Sequence, residues 1–187
     1  MRSTVQCGRS KPFAEATLTS YDNASLSYAW DLGSYHFVQL HNHPLYPRDE
    51  EDPDHVKTYD VPGISSSFAW LAADLARATA AGKYIVINMH DFGEHMKQSN
   101  GQFAAAIAGS NLRAIFAGHV HHHLGNVGSL LLGSRTVPIF RSGASVYQRF
   151  LVVELGPHSL RVGQIDSSSG APRIVAGSSI ETVSLTP

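Results

Sequence analysis

The apolar positions in the middle of the chain follow the period of an amphipathic helix. From Phe68 onward they recur at i, i+3, i+4, i+7 and i+8. Ser66 or Ser67 is available as the N-cap, and Gly82 stands where a helix commonly ends. The pattern therefore predicts a helix that begins near Phe68 and ends before Gly82. A second, weaker helical pattern covers about residues 102–108.

Two short runs without a polar face predict buried strands. Residues 83–90 and 112–118 are dominated by apolar and β-branched side chains. Such runs are typical of a sheet that is covered on both faces. Each run follows one of the predicted helices, and this alternation of helix and strand favours an α/β fold.

The first part of the chain predicts a β-hairpin after a polar segment. Residues 24–30 and 35–40 alternate or run apolar around a glycine-containing turn at residues 31–34. Residues 1–23 are polar and weakly periodic, so we expect a weakly ordered N-terminal segment followed by one partial domain over residues 24–187. Residues 44–63 are rich in proline and acidic residues, which predicts a long surface loop.

The second half of the chain predicts a C-terminal β meander. Short strand patterns cover residues 136–141, 147–154, 160–165 and 174–183. Glycine, serine and proline turns separate them, as expected for consecutive short strands.

Charge and cysteine content exclude several functional classes. The chain has 14 basic and 15 acidic residues and a formal net charge of -1. Nucleic acid and anionic membranes are therefore not expected as main partners. The single cysteine, Cys7, excludes an internal disulfide framework and a cysteine-rich zinc module. We find neither a membrane-spanning pattern nor a signal peptide, so the compartment stays open.

Histidine is the unusual component, with 11 residues, and neutral imidazole is the commonest metal ligand near neutral pH. Both predicted buried strands lead directly into a histidine, at His90 and at His119, and His121 follows two residues later. The carboxyl ends of neighbouring parallel strands open into one crevice. We therefore predict that His90, His119 and His121 converge there as metal ligands. Gly118 is expected to allow the tight backbone turn that presents them.

The other polar residues near these strand ends have weaker claims. Asp91, His122 and His43 are interpreted as residues that support the ligands or contact a substrate, and no residue is assigned a catalytic role. The histidines expected at surface positions are His36, His55, His95 and His158.

Three segments resemble the calcineurin-like metallophosphoesterase family. Ala-Gly-His-Val-His at residues 117–121 resembles the family's closing Gly-His-x-His motif, and Ile-Asn-Met-His at residues 87–90 resembles its single-histidine motif at a strand end. Residues 28–40 resemble the hairpin that follows its Gly-Asn-His segment. The three segments occur in the family's order, and the resemblance covers roughly residues 24–155.

The resemblance implies an α/β fold in which a two-sheet β sandwich is flanked by helices. It also implies two adjacent divalent metal sites of zinc, manganese or iron, and hydrolysis of a phosphate-ester small molecule or a phosphorylated substrate. In this scheme His90 and His119 bind one metal and His121 binds the other.

The family's earlier motifs do not occur ahead of the hairpin. These are Asp-x-His, Gly-Asp-x-x-Asp with its bridging carboxylate, and Gly-Asn-His with its asparagine ligand and catalytic histidine. We therefore expect a truncated, incomplete sandwich that binds at most one divalent ion and hydrolyses phosphate esters weakly or not at all. The sheet edges left open are expected to pair with another chain.

Two further functions stay open from the sequence. The chain could be a non-enzymatic remnant or interaction subunit that uses its sheet for protein contacts. It could also be a mononuclear zinc hydrolase with three histidine ligands and an open fourth position.

Overall fold

The computed structural model describes residues 17–41, 65–93 and 101–185. These residues form two α-helices, α1 (Phe68–Ala80) and α2 (Gln102–Ile107), and a 3₁₀ turn at Ser145–Tyr147. The strands are β1 (Thr17–Tyr21), β2 (Tyr28–Leu32), β3 (Tyr35–Gln39), β4 (Tyr84–Met89), β5 (Leu112–Ala117), β6 (Leu124–Leu132), β7 (Arg135–Ser142), β8 (Arg149–Leu155), β9 (Ser159–Asp166), β10 (Arg173–Ile174) and β11 (Glu181–Ser184). The predicted hairpin, both helices and both buried strands are confirmed.

The strands form two sheets. The large sheet has the order β1-β2-β3-β4-β5-β7-β6. Its central strands β3, β4, β5 and β7 are parallel, whereas β1, β2 and β6 pair antiparallel with their neighbours. In the small sheet, β9 pairs antiparallel with β8, β10 and β11.

Helix α1 packs its apolar stripe against one face of the large sheet. Phe68, Leu71 and Leu75 are buried in one cluster with apolar residues of β3, β4 and β5. The Leu71 N–H donates to the Ser67 carbonyl at 2.8 Å in the first turn. The helix ends as predicted, because Gly82 has a φ of +71°. Each fully buried leucine stabilises the fold by about 1.5–3 kcal/mol.

A second apolar cluster lies between the two sheets. Its buried members are Tyr35, Val86, Ala114 and Phe140 of the large sheet together with Leu160, Val162 and Leu185. The large sheet is therefore covered on both faces, by helices on one side and by the small sheet on the other. This explains why β4 and β5 have no polar face.

The C-terminal half departs from the predicted meander. Strand β7 does not join the strands that follow it. It lies in the large sheet between β5 and β6 and pairs with both. The sequence did not predict β6, since most of its residues are exposed and no apolar alternation marks it. The single strand expected at residues 174–183 is two short strands, β10 and β11. The sequence also does not predict strand β1, which lies inside the polar segment 1–23 that is expected to be weakly ordered.

Strand β8 is an edge strand among the described residues, where it pairs only with β9. Phe150, Val152 and Val153 on this strand are 40%, 51% and 37% exposed. An exposed apolar edge favours pairing with another strand. Pairing with another chain stays a prediction.

The described residues therefore form a mixed α/β structure, built mostly of strands in two sheets with few helices. Within the same residues, we find no helix with the length and apolar character needed to cross a membrane.

Candidate metal centre

The parallel pairing of β4 and β5 brings two of the predicted ligands together. Met89 lies opposite Ala117 in the register, so the loops after both strands start at the same edge of the sheet. His90 Nε2 and His119 Nδ1 are 3.4 Å apart, and their exposed rings meet edge to face at 82°. The placement of these two histidines at one edge is as predicted.

The separation of these two nitrogens fits a shared metal ion. Two nitrogens bound to one tetrahedral zinc ion at about 2.0–2.1 Å lie about 3.3–3.4 Å from each other. An N–H hydrogen bond is usually shorter, at about 2.7–3.2 Å. The donor set is also suitable, since imidazole binds zinc, copper, iron and nickel. His90 and His119 would hold the ion as adjacent ligands.

The backbone turns sharply at His119. The Val120 N–H donates to the Gly118 carbonyl at 2.8 Å, which closes a three-residue γ-turn around His119. The φ of His119 is +66°, whereas Gly118 is not among the residues with positive φ. The prediction that Gly118 provides the tight turn is therefore wrong. A non-glycine residue in this region costs about 1–3 kcal/mol, and such strain is concentrated at functional sites.

A buried arginine connects the two histidine-bearing loops. Arg141 lies near the end of β7 and is 8% exposed. Its guanidinium donates to the Gly118 carbonyl at 2.7 Å and to the Phe92 carbonyl at 2.8 Å. The Gly118 N–H in turn donates to the His90 carbonyl at 2.8 Å. Arg141 therefore holds the loops after β4 and β5 in one arrangement.

Asp91 balances the charge of this arginine. It is 7% exposed, and its Oδ1 lies 4.0 Å from the Arg141 guanidinium. Partial burial of the ring lowers the pKa of His90, as do the charges of His119 and His121, whereas Asp91 acts in the opposite direction. His90 consequently stays neutral, with a lone pair for a metal, to a lower pH than an ordinary histidine.

The remaining candidates are placed less closely. His121, His122 and His123 are exposed, and the rings of the last two meet edge to face with centroids 4.5 Å apart. In the part of the chain that the structure describes, no group of three or more His, Cys, Asp or Glu residues is arranged to hold a metal. The third ligand position of His121 stays a prediction. His43, His55 and His95 lie outside the described residues.

The surface assignment of His36 is wrong, whereas that of His158 is confirmed. His36 is 2% exposed, and both ring nitrogens are used. Its Nδ1 lies 2.7 Å from Asp31 Oδ1, and its Nε2 lies 2.7 Å from Asp74 Oδ2. These contacts join the hairpin to helix α1.

A sequence signal for the burial of His36 exists in the period of the strand. Residues two apart on a strand share a face, and Val38 and Leu40 are 0% and 1% exposed. His36 therefore stands on the buried face of β3. Arg141 offered no comparable signal, because its role depends on the pairing of β7 with β5.

In comparisons with known proteins, no family model matches the chain and no curated protein matches its sequence. The site is therefore defined by its own geometry and motifs.

Proposed function

We propose that this protein is a metal-dependent phosphoester hydrolase of the calcineurin-like metallophosphoesterase type. His90 and His119 bind a divalent ion, with His121 beside them. One observation carries the proposal: the two nitrogens, His90 Nε2 and His119 Nδ1, are 3.4 Å apart at the carboxyl edge of parallel strands.

The architecture supports this proposal. The family that this chain resembles has a two-sheet sandwich flanked by helices, with histidines at strand ends. Here two sheets pack through a common apolar cluster, and α1 and α2 cover the other face of the large sheet. His90 and His119 follow adjacent strands of that sheet. The single-histidine and Gly-His-x-His segments thus lie side by side.

Each residue of the site has a distinct task. When bound, the ion supplies Lewis-acid polarisation of the phosphoryl group and activation of water. His90 offers a neutral imidazole, since its pKa is lowered by burial and by neighbouring histidines. Arg141 fixes the two loops through the Gly118 and Phe92 carbonyls, and Asp91 offsets its charge.

The donors of the described residues support one ion and not a dinuclear centre. A two-metal site has its ions about 3.5–4 Å apart, and a bridging carboxylate offsets their charge. Asp91 is the acidic residue beside His90, and it already faces a guanidinium. We therefore expect one zinc, manganese or iron ion per chain and slow hydrolysis of generic phosphate esters.

The test is a titration of the metal-free chain with Co²⁺ and Zn²⁺, followed by competition against a chromogenic chelator. We expect one ion per chain in the wild type and at least about a tenfold weaker affinity in His90→Ala and His119→Ala. His158→Ala is the matched control, because His158 is exposed and on the opposite half of the chain. Unchanged affinity in both site variants would sink the proposal.

Turnover of a chromogenic phosphodiester then tests the reaction. The expected rate with added Mn²⁺ or Zn²⁺ is low, and His119→Ala abolishes it. A variant His121→Ala that loses the ion as completely as the other two would favour a mononuclear site with three histidines. Absence of metal binding would favour the non-enzymatic alternative.

A further inference from the structure

Arg113 is a buried cation without an acidic partner among the described residues. It lies at the start of β5 and is 6% exposed. Its Nε is buried and has no hydrogen-bond partner there. Burial of an unpaired charge is costly, and proteins usually compensate it with a counter-ion. Arg113 is therefore a candidate residue for binding an anion.

The neighbouring Arg135 adds to the positive charge around Arg113. Burial lowers the pKa of the Arg113 guanidinium, and the nearby charge of Arg135 lowers it further. Arg135 uses one nitrogen to donate to the Ser110 and Leu112 carbonyls at 3.3 and 3.4 Å. The Tyr84 ring, 5.4 Å from the Arg113 guanidinium carbon, offsets the charge only in part.

Both arginines line an open cavity of about 820 Å³ at this end of the sheet. Ser110 also lines it, is 7% exposed, and has a hydroxyl without a partner in the described residues. The acidic residue in the lining is Glu181, whose carboxylate accepts from Asn126 Nδ2 at 2.8 Å. The cavity thus combines two guanidiniums and a free hydroxyl with one carboxylate that is already engaged.

We propose that Arg113, Arg135 and Ser110 form a binding site for a phosphate-sized oxyanion. Two guanidiniums and a hydroxyl belong to residues that line one cavity, and this donor set suits an oxyanion with several acceptor oxygens. A bound phosphate supplies the counter-charge that Arg113 lacks. Ligands of this class are inorganic phosphate and small phosphate monoesters.

The site is separate from the candidate metal centre. Arg113 lies at the start of β5 and His119 follows its end. The four strand steps from Arg113 to the end of β5, at about 3.3 Å each, already separate the two positions by roughly 13 Å. The proposal therefore does not depend on the proposed function, and chelator-treated protein tests it without a metal that could itself bind phosphate.

The experiment measures binding of inorganic phosphate to the metal-free chain by calorimetry. It also compares thermal unfolding midpoints in phosphate and in chloride at equal ionic strength. We expect a phosphate-dependent rise of the midpoint in the wild type and its loss in Arg113→Met. In chloride, Arg113→Met is expected to unfold at a higher temperature than the wild type, because the uncompensated buried charge is gone. The matched control is Arg161→Gln, an exposed arginine paired with Glu154 on β8.

Two further variants keep the test decisive if Arg113→Met does not fold. Arg135→Gln is expected to weaken phosphate binding at least about tenfold, and Ser110→Ala is expected to weaken it less. A glycerol phosphate titration separates the sources: tighter binding than inorganic phosphate assigns a monoester, and equal or weaker binding assigns free phosphate. No phosphate effect in the wild type, or an equal effect in Arg135→Gln and Arg161→Gln, would overturn the proposal.

Discussion

His36 on β3 and Asp74 on α1 are joined by a hydrogen bond of 2.7 Å in the interior of the protein. Both residues are almost completely buried, at 2% and 1% exposed. The other nitrogen of the ring is bound to Asp31 at 2.7 Å. Arg77 also pairs with Asp74, and Lys83 lies 3.1 Å from Asp31. The imidazole thus lies between two carboxylates, and each carboxylate also has a second cationic partner.

Removal of the imidazole is expected to destabilise the fold strongly. In His36→Gln, the Asp74 carboxylate loses its buried cation and keeps only the exposed Arg77, so the loss approaches the cost of breaking a buried pair, about 3–5 kcal/mol. The free energy of unfolding from urea titrations at pH 6 measures the loss. His158→Gln is the control, because a substitution at an exposed histidine changes stability by less than about 0.5 kcal/mol. A loss below about 1 kcal/mol in His36→Gln would contradict a structural role for the imidazole.

The same contacts make the stability depend on pH. Burial lowers the pKa of His36, but the hydrogen bonds and charges of Asp74 and Asp31 raise it more, and the net direction is upward. The unfolded histidine has a pKa of about 6.5. The contribution of His36 is therefore fully present below about pH 6.5 and is lost as the pH rises through the higher folded-state pKa.

Urea titrations of wild type and His36→Gln from about pH 6 to 9 test this sign. We expect the difference in unfolding free energy between the two proteins to shrink as the pH rises. The difference removes the contributions of all groups that the two proteins share. A difference that stays constant or grows over this range would show that His36 is neutral in the folded state.

The hydrophobic pattern of the sequence predicts those elements in which the pattern itself decides which residues are buried. Helix α1 and strands β4 and β5 have apolar positions with the period or continuity of their environment, so their place in the core can be predicted from sequence. Strand β6 cannot, because its residues are largely exposed and Gly125 and Gly128 interrupt it. Strand β6 forms because it pairs with β7, although its own sequence carries no strand pattern.

The candidate site can be predicted from sequence only where it depends on the two buried strands. His90 and His119 follow two buried strands, and the parallel register of these strands determines their meeting. The contact of Arg141 with their loops requires β7 to insert beside β5, and residues distant in sequence decide that insertion. The surface prediction for His36 follows the polarity of histidine, whereas the apolar face of β3 determines its burial.

Arg141 is expected to support metal binding through the loops. Arg141→Met removes the hydrogen bonds to the Gly118 and Phe92 carbonyls and leaves Asp91 without its cation. Loss of a residue that orients ligands typically weakens metal affinity about 10–100-fold. Chelator competition with Zn²⁺ measures the change, and Arg161→Met on β9 is the control. The zinc affinity of Arg141→Lys should fall between those of the wild type and Arg141→Met, because a single ammonium replaces a guanidinium that reaches two carbonyls. Wild-type zinc affinity in Arg141→Met would show that the loops keep their arrangement without the guanidinium.

The strained turn at His119 predicts a difference between two variants that lose the same ligand. His119→Ala and His119→Gly both remove the imidazole, so both should bind zinc more weakly than the wild type. Only glycine adopts a φ of +66° without a steric penalty, which for other residues is about 1–2 kcal/mol. In metal-free buffer, His119→Gly should therefore be more stable than His119→Ala by about 1 kcal/mol in urea unfolding. His158 has no positive φ, so the same pair of substitutions there should show glycine equal to alanine or less stable. Equal stability of the two His119 variants would mean that the backbone at this position is not held in the left-handed region, and that the imidazole is presented without stored strain.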